Sequence, residues 1–257
     1  MISLIKIEFY KILPNRTFWA LVSIYVILLT IFFYGGSKIE SDALTLFNLM
    51  PEYYFPRIWH YITFLASWFN WLLGIIIIML VTHEFSYKTI RYQIAFGLSK
   101  SDFILGKIGL ISVFCILTTL YLIILGLIFG FIYSKDTSFS VIIDETNHLI
   151  TYFIQAFSYM SLALLIGVIF KRSLISVVLF LSYVAFIERI FSAFIPDNID
   201  MYFPMNVITS LTPIPLQIIR NLAAGVEMPI TTESFIAIGY SLLFCLISYY
   251  LIKRSDL

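Results

Sequence analysis

Residues 84–107 read EFSYKTIRYQIAFGLSKSDFILGK, and they are the point at which an otherwise apolar chain becomes polar. Uncharged runs flank this stretch on both sides, from Ile58 to Thr82 and from Ile108 to Tyr133. Each run exceeds the roughly 20 residues that a helix needs to cross a bilayer. The stretch is therefore predicted to connect two membrane spans, and it is longer than a simple turn requires.

Composition places the whole chain among membrane proteins. Of its 257 residues, 61% are hydrophobic and 12% are charged, against roughly 45–50% and about 25% in globular domains. The formal net charge of +1 indicates no nucleic-acid partner, and no polar block is long enough for a separate soluble domain. We predict an all-α, polytopic membrane protein whose residues 1–257 form a single transmembrane domain.

Six apolar runs predict six transmembrane spans. Their bounds are 17–34, 58–82, 104–133, 149–170, 174–195 and 234–252. Residues 1–16 predict an interfacial helix, because Ile2, Ile5 and Phe9 share one face with Ile12 and Leu13. Between the fifth and sixth runs, residues 196–233 hold five of the eight prolines. We expect short outer helices there, since the apolar pieces 205–211 and 214–225 cannot cross a bilayer.

The basic residues predict the orientation of the chain. If the N-terminus is cytoplasmic, 11 of the 16 basic residues lie on the inner side. They are Lys6, Lys11, Arg16, Lys88, Arg91, Lys100, Lys107, Lys171, Arg172, Lys253 and Arg254. Because basic residues in short loops stay on the cytoplasmic side, we expect a multi-pass protein of the cell membrane with both termini in the cytoplasm.

Helical spacing within the polar stretch predicts a helix from Phe85 to Phe96. Its two apolar faces are Tyr87, Ile90 and Ile94 on one side and Phe85, Tyr92 and Phe96 on the other. Gly97 predicts the C-terminal stop, and Ser99 with Asp102 fits a capping box that opens the next helix. The same pattern also fits an amphipathic linker that lies on the lipid surface.

The sequence lacks the common motifs for catalysis, metal binding and nucleotide binding. His83 and Glu84 open like a zinc-protease motif, but Tyr87 stands where the second histidine is required. Gly106 and Lys107 lack the spacing of a phosphate-binding loop. Cys115 and Cys245 lie in apolar runs and predict free thiols. We therefore predict no catalytic residue, no metal ligand and no cofactor in this chain.

The polar stretch resembles a known segment of membrane transporters. Its pattern is Glu-x4-Thr-x-Arg, then Gly-Leu-Ser-Lys, then Gly-Lys, and it lies between the second and third predicted spans. Together with the N-terminal helix, the six spans and the Lys-Arg-Ser-Asp-Leu tail, this pattern resembles an ABC transporter permease of the type-2 export class. The resemblance implies a bacterial inner-membrane exporter but does not indicate its cargo.

In that class, the cytoplasmic segment is a coupling helix that docks onto a separate ATPase subunit. The resemblance implies two permease chains, identical or related, and two ATPase chains that carry the ATP and Mg²⁺. The matching positions are Glu84, Thr89, Arg91, Gly97, Ser99, Lys100 and Lys107, and many members have glycine where this chain has Lys88. With the aromatic positions and Lys88, the candidate ATPase-coupling residues are Glu84, Phe85, Tyr87, Lys88, Thr89, Arg91, Tyr92, Phe96, Gly97, Ser99, Lys100 and Lys107.

Glu188 and Arg189 are the ionisable pair closest to membrane depth, near the outer end of the fifth run. Charge there is costly unless it is paired or reached by water, so we expect both residues to find partners and to help close an outer gate. Snorkelling to the interface is the other interpretation. For the chain as a whole, a non-transporting membrane scaffold and an intramembrane enzyme remain alternatives to a permease subunit.

Overall fold

The computed structural model describes residues 2–38, 53–95, 97–214 and 230–254, and these residues form helices and no strands. The all-helical class is therefore confirmed for the described residues. The α-helices are α1 Ile2–Ile12, α2 Arg16–Ser37, α3 Ile58–Ser67, α4 Asn70–Ser86, α5 Thr89–Ala95, α6 Lys100–Tyr133, α7 Phe139–Ile143, α8 Asn147–Phe170, α9 Ser173–Ser182, α10 Glu188–Ser192, α11 Asp197–Asp200, α12 Pro204–Ser210 and α13 Ile230–Arg254. A π-helical turn, Tyr183–Ile187, joins α9 to α10.

The described part of the chain contains five helices that are long and apolar enough to cross a membrane. They are α2, α6, α8 together with α7, the continuous α9–α10 and α13. Helices α3 and α4 pass the same criterion only as a pair, and the pair is bent by 46°. The chain is thus a multi-pass membrane protein by the length and composition of its helices. The predicted outer piece 214–225 lies mostly outside the described residues.

The bend between α3 and α4 interrupts what the sequence predicts as one run, 58–82. The Ser67 hydroxyl donates to the Phe64 carbonyl at 2.6 Å, and the Trp68 amide donates three residues back to Leu65 at 3.3 Å. Such bonds compete with the α-helical ladder and tighten the last turn. The Asn70 side chain then donates to Gln155 Oε1 on α8 at 3.2 Å, which ties the bend to a neighbouring helix.

Helix α8 is the centre of the bundle. In an apolar 18-residue stretch of α7–α8, 61% of the residues are buried. In the corresponding stretches of α2 and of α9–α10, only 17% are buried. The two most extensive packing partners of α8 are α13 and α4. The outward sides of α2 and α9–α10 are consequently left for lipid or for another protein.

The N-terminal helix is shorter than the predicted 1–16, and the predicted apolar face is turned towards the bundle at Ile5, Phe9 and Ile12 but not at Leu13. It ends at Ile12 because α2 begins at Arg16 after an Asn15 cap. Glu8 and Ile12 are buried, while Leu13, predicted on the apolar face, is exposed. The α1 side chains pack on Gly106 and Gly109 of α6, where the absence of side chains allows a close approach. Helix α1 therefore lies against the bundle, and its buried side carries a charge.

We expect Gly74→Ala to destabilise the bundle, because a Cβ at that position on α4 would lie 2.3 Å from the tip of the buried Phe180 ring. Overpacking of this kind costs roughly 1–3 kcal/mol. The measurement is the thermal unfolding temperature of the detergent-solubilised protein. Gly239→Ala on α13 is the matched control, since nothing beyond its chain neighbours and the backbone of its own helix lies within 4 Å of the new Cβ. Equal stability of the two variants would contradict the packing described for α4 and α9.

Candidate functional site

The polar stretch forms an elbow, defined here as residues 87–99, between α4 and α6. The predicted single helix from Phe85 to Phe96 is wrong. Helix α4 continues to Ser86, Lys88 adopts a left-handed backbone with φ of 56°, and α5 begins at Thr89. A left-handed residue cannot continue a right-handed helix. Glycine, which many members of the resembled class have at the position of Lys88, adopts this conformation without steric cost.

The end of α5 and the start of α6 follow the predictions. Gly97 has a φ of 96°, and the Leu98 amide donates to the Gln93 carbonyl at 3.0 Å, as in a Schellman motif. Ser99 and Asp102 form a complete capping box, in which each side chain accepts from the backbone amide of the other residue. These two caps fix where the elbow ends.

The predicted division of the elbow into two apolar faces is wrong. Tyr87 is 71% exposed, whereas Ile90 is 2% exposed, so these two residues do not share a face. Tyr92 is 65% exposed, while Phe85 is half-buried against the core. The side chains of Ile94 and Phe96 lie outside what the structure describes. The exposed residues Tyr87, Lys88, Arg91 and Tyr92 are called the elbow face below.

Behind the elbow, four charged side chains form a buried ion cluster, Glu8, Lys11, Glu84 and Lys107. Lys107 is 2% exposed and donates to both Glu8 Oε2 and Glu84 Oε1. Lys11 Nζ lies 2.5 Å from Glu8 Oε1 and 3.4 Å from Glu84 Oε1. Two cations meet two carboxylates, so the cluster is neutral as a whole.

The ion cluster joins three helices and the elbow. Glu8 and Lys11 come from α1, Glu84 from the last turn of α4, and Lys107 from the start of α6. The second carboxylate oxygen of Glu84 accepts from Gln93 Nε2 at 3.3 Å, and the Glu84 carbonyl accepts from Thr89 Oγ1 at 3.3 Å. Both contacts bind α5 to the end of α4. The elbow is therefore linked through Glu84 to α1, α4 and α6.

The electrostatics of Glu8 show how strongly the lysines act. Burial alone would raise the pKa of the Glu8 carboxyl, but Lys107 and Lys11 hold its pKa below the ordinary value of 4.5. A carboxyl with a lowered pKa stabilises the fold fully above its unfolded pKa, and this stabilisation is lost as the pH falls through the folded pKa. Attachment of α1 through Glu8 is thus maintained at neutral pH and weakens in acid.

The predicted coupling residues divide into two groups by location. Glu84 and Lys107 are buried, Thr89 and Phe85 are half-buried, and Ser99 caps α6. Tyr87, Lys88, Arg91 and Tyr92 are exposed, as are Gly97 and Ser99, while Lys100 is half-buried. The exposed residues offer the most surface to a partner in this conformation, whereas Glu84 and Lys107 offer almost none. The coupling role of all these residues stays a prediction.

The second predicted site, Glu188 and Arg189, lies at the end of the π-helical turn. Glu188 is buried. Its carboxylate accepts from the Tyr183 hydroxyl at 2.7 Å and from the backbone amide of Asn206 at 2.9 Å. It therefore has the expected partner in the proline-rich segment. Arg189 is exposed and lines a cleft of about 890 Å³ beside Trp68. Within the described ranges, no carboxylate lies at ion-pair distance from Arg189.

Glu8 and Lys11 are the site residues that the sequence analysis misses. A weak signal exists, since Glu8 and Lys11 are spaced for one helix face and Lys107 is a lone charge beside an apolar run. Nothing in the sequence pairs residues 8 and 107. In the residues that the structure describes, no three His, Cys, Asp or Glu side chains meet in a group that could hold a metal ion.

A family model described as "Protein of unknown function (DUF2705)" matches residues 25–257. The chain belongs to this family. The matched range contains the elbow, Glu84 and Lys107, whereas Glu8 and Lys11 precede it. No curated protein matches the chain.

We expect Lys107→Met to destabilise the protein strongly, because Glu8 and Glu84 would then share Lys11 alone in a buried site. Removing one partner of a buried ion pair costs about 3–5 kcal/mol. Adding Glu84→Gln restores the charge balance and should recover part of the loss. The readout is thermal unfolding in detergent, with the exposed Lys6→Met on α1 as the control. A double variant no more stable than Lys107→Met would show that charge balance does not govern the cluster.

Proposed function

We propose that this chain is the transmembrane permease subunit of an ATP-driven exporter of the ABC type-2 class. In this proposal, two permease chains, identical or related, form the route across the membrane, and two copies of a separate ATPase bind ATP and Mg²⁺. The observation that carries the proposal is the elbow. Its inner side is bound to three helices through the ion cluster, and its outer side presents two tyrosines and two cations.

This arrangement suits the transmission of force from a partner. Exposed aromatic side chains and arginine are the residue types that most often dominate the binding energy of protein interfaces. An element that transmits movement must also be fixed on its other side. The contacts of Glu84 with Lys107, Gln93 and Thr89 meet that need for the elbow. A displacement of α5 would consequently move the cytoplasmic ends of α4 and α6 together.

The proposed topology has six spans, with the bent pair α3–α4 as the second. Counting the pair as one span puts both termini, the elbow and the α8–α9 turn on the same side. The 11 basic residues named above then lie on that side, which the positive-inside rule assigns to the cytoplasm. The Pro204–Ser210 helix and Glu188 belong to the opposite, outer side in this proposal.

The route itself is proposed to involve the outward sides of the bundle and the outer cleft. Helices α2 and α9–α10 leave most of their apolar surface free to meet lipid or the second permease chain. The cleft beside Arg189 is lined by Trp68, Trp71 and Gln155 among others. Aromatic walls with a few polar groups fit a hydrophobic or amphipathic cargo. Glu188, by capping α12, would hold the outer end of this route closed.

The orientation is tested by cysteine labelling in intact cells with a membrane-impermeant reagent. We expect label at Lys135→Cys and Asp144→Cys, and no label at Ser86→Cys and Ser173→Cys. The native cysteines are both buried and serve as the background. Lysed cells are the control, since Ser86→Cys lies on an exposed position and should then react. Labelling of Ser86→Cys before lysis would overturn the proposed topology.

Partner binding is tested by purifying the tagged chain from its native membranes in mild detergent. We expect an ABC ATPase, identified by mass spectrometry, in near one-to-one ratio with the chain. Combining Tyr87→Ala and Tyr92→Ala should weaken that association by about tenfold or more, because truncating interface aromatics often costs 2 kcal/mol or more. Tyr54→Ala with Phe139→Ala, two exposed aromatics of the opposite side, is the matched control.

The outcomes separate the candidate functions. Wild-type chain that carries no ATPase would remove the permease proposal. Association without any ATP-dependent movement of cargo in reconstituted vesicles would favour the scaffold alternative. If the variant with Tyr87→Ala and Tyr92→Ala associates with the ATPase as strongly as the wild type does, the elbow face is excluded as the docking surface.

A further inference from the structure

A cleft of about 890 Å³ lies beside Arg189 and is called the outer cleft below. One wall is the bend between α3 and α4, which contributes Phe64, Trp68 and Trp71. The other wall includes residues 184–186, which belong to the π-helical turn before α10. Turns of this kind are rare in helices and are frequent at functional sites. Two irregular segments of the membrane helices thus meet at one cleft.

Aromatic side chains on both walls of the outer cleft are left uncovered by the described part of the chain. Trp68 is 62% exposed on one wall, and Phe186 is 66% exposed on the other. The Phe64 ring meets the Trp68 ring edge to face, with 5.7 Å between their centroids, and this contact supports the indole. Exposed rings in a cleft of this size suit an apolar chain.

Most polar side chains of the outer cleft are already hydrogen-bonded within the protein. The Gln155 side-chain amide donates to the Ile208 carbonyl at 2.9 Å and to Thr212 Oγ1 at 3.0 Å. The hydroxyls of Thr209 and Ser210 donate to backbone carbonyls of their own helix. These groups shape the cleft, but their donors are not free for a ligand.

The guanidinium of Arg189 is unpaired in the part of the chain that the structure describes. Within those ranges it makes no side-chain hydrogen bond, and no carboxylate lies at ion-pair distance from it, Glu233 of the same cleft included. The neighbouring Glu188 carboxylate already accepts from Tyr183 and Asn206. A cation in a membrane span is costly unless water or a partner reaches it. The guanidinium is therefore available to an anionic group of a ligand.

Tyr159 of α8 supplies a second donor to the outer cleft. It lines the cleft and is only 5% exposed. Its hydroxyl makes no hydrogen bond to any residue that the structure describes, although most buried polar side chains have a partner. Arg189 lies close enough to act electrostatically on this hydroxyl. A charged fork and a hydroxyl donor are thus directed at the same cleft, where one acidic group can accept from both.

We propose that the outer cleft is a binding site for an acidic amphiphile. Its carboxylate or phosphate is held by Arg189 and Tyr159, and its apolar chain lies among the rings of Trp68, Trp71 and Phe186. The inference deepens the permease function proposed above, because it names the chemical class of the cargo, and to that extent it rests on that function. Binding itself requires only this chain.

The head group, rather than the chain, sets the specificity in this proposal. The exposed rings accept the apolar chain of any amphiphile. A cationic head group would place a second cation beside Arg189, and a neutral head group would leave Arg189 without a counter-charge. An acidic head group removes both costs. Arginine also matches the planar carboxylate and the phosphate better than a lysine does.

The binding test uses the full chain in nanodiscs of phosphatidylcholine and two photoreactive probes of equal chain length. One probe is a long-chain alkyl phosphate and the other is the corresponding neutral alkanol, each with a diazirine in the chain. Labelled peptides are identified by mass spectrometry. We expect saturable labelling of peptides that contain Trp68 or Phe186, with unlabelled alkyl phosphate and a long-chain fatty acid as competitors.

Two variants separate recognition of the head group from packing of the chain. Arg189→Gln should raise the half-saturating concentration of the alkyl phosphate about tenfold or more and leave that of the alkanol unchanged. Arg189→Lys should recover part of this loss. Tyr159→Phe should raise the value for the alkyl phosphate about threefold or more, because one hydroxyl donor is lost. Thermal stability should stay at the wild-type value, since neither side chain gives up a hydrogen bond to a described residue.

The matched control is Arg172→Gln, which removes an exposed cation from the other end of the same span and should bind both probes like wild type. Absence of saturable labelling in the wild type, or an equal loss of both probes in Arg189→Gln, would overturn the site. If phosphatidylglycerol in the nanodisc displaces the alkyl phosphate, a bilayer lipid occupies the cleft and its assignment to cargo is overturned. If the probe binds as expected but the chain carries no ATPase, the export function fails while the binding site stands.

Discussion

The buried ammonium of Lys107, held between the carboxylates of Glu8 and Glu84, is the interaction on which the arrangement of α1, α4 and α6 behind the elbow depends. Buried ion pairs add little net stability compared with apolar packing, but they are costly to break one partner at a time. Such a cluster therefore specifies which helices meet more than it raises the stability of their meeting. Here it joins Glu8 and Lys11 of α1 to the end of α4 and the start of α6.

The parts of the fold that follow from the sequence are those set by local rules. Run length predicts the membrane helices, because each span must satisfy its own backbone hydrogen bonds. Capping chemistry predicts the start of α6 at Ser99, and the end of α5 follows from Gly97. By contrast, the bend between Ser67 and Asn70 carries no proline or glycine to mark it. The bend is also tied to Gln155, which is 85 residues away, by a hydrogen bond from the Asn70 side chain.

The candidate site was harder to predict than the fold for a related reason. The helical spacing of apolar residues over 85–96 depends on the order of the side chains and does not detect a single left-handed backbone residue. Lys88 therefore interrupts a helix that the pattern predicts as continuous. The ion cluster joins residues 99 positions apart, and no spacing rule reaches that far. The sequence could thus indicate which stretch is important, but only the three-dimensional arrangement separates its buried anchors from its exposed face.

The distance along the chain between Glu8 and Lys107 also sets an order for the assembly of the protein during synthesis. Glu8 leaves the ribosome 99 residues before its partner, which corresponds to roughly 5–20 s at translation rates of about 5–20 residues per second. Until Glu84 and Lys107 have been synthesised, Glu8 has only Lys11 of the cluster as an ion-pair partner, and the charges of these two residues cancel. The contact between α1 and α6 through Lys107 can therefore form only after α6 has been synthesised.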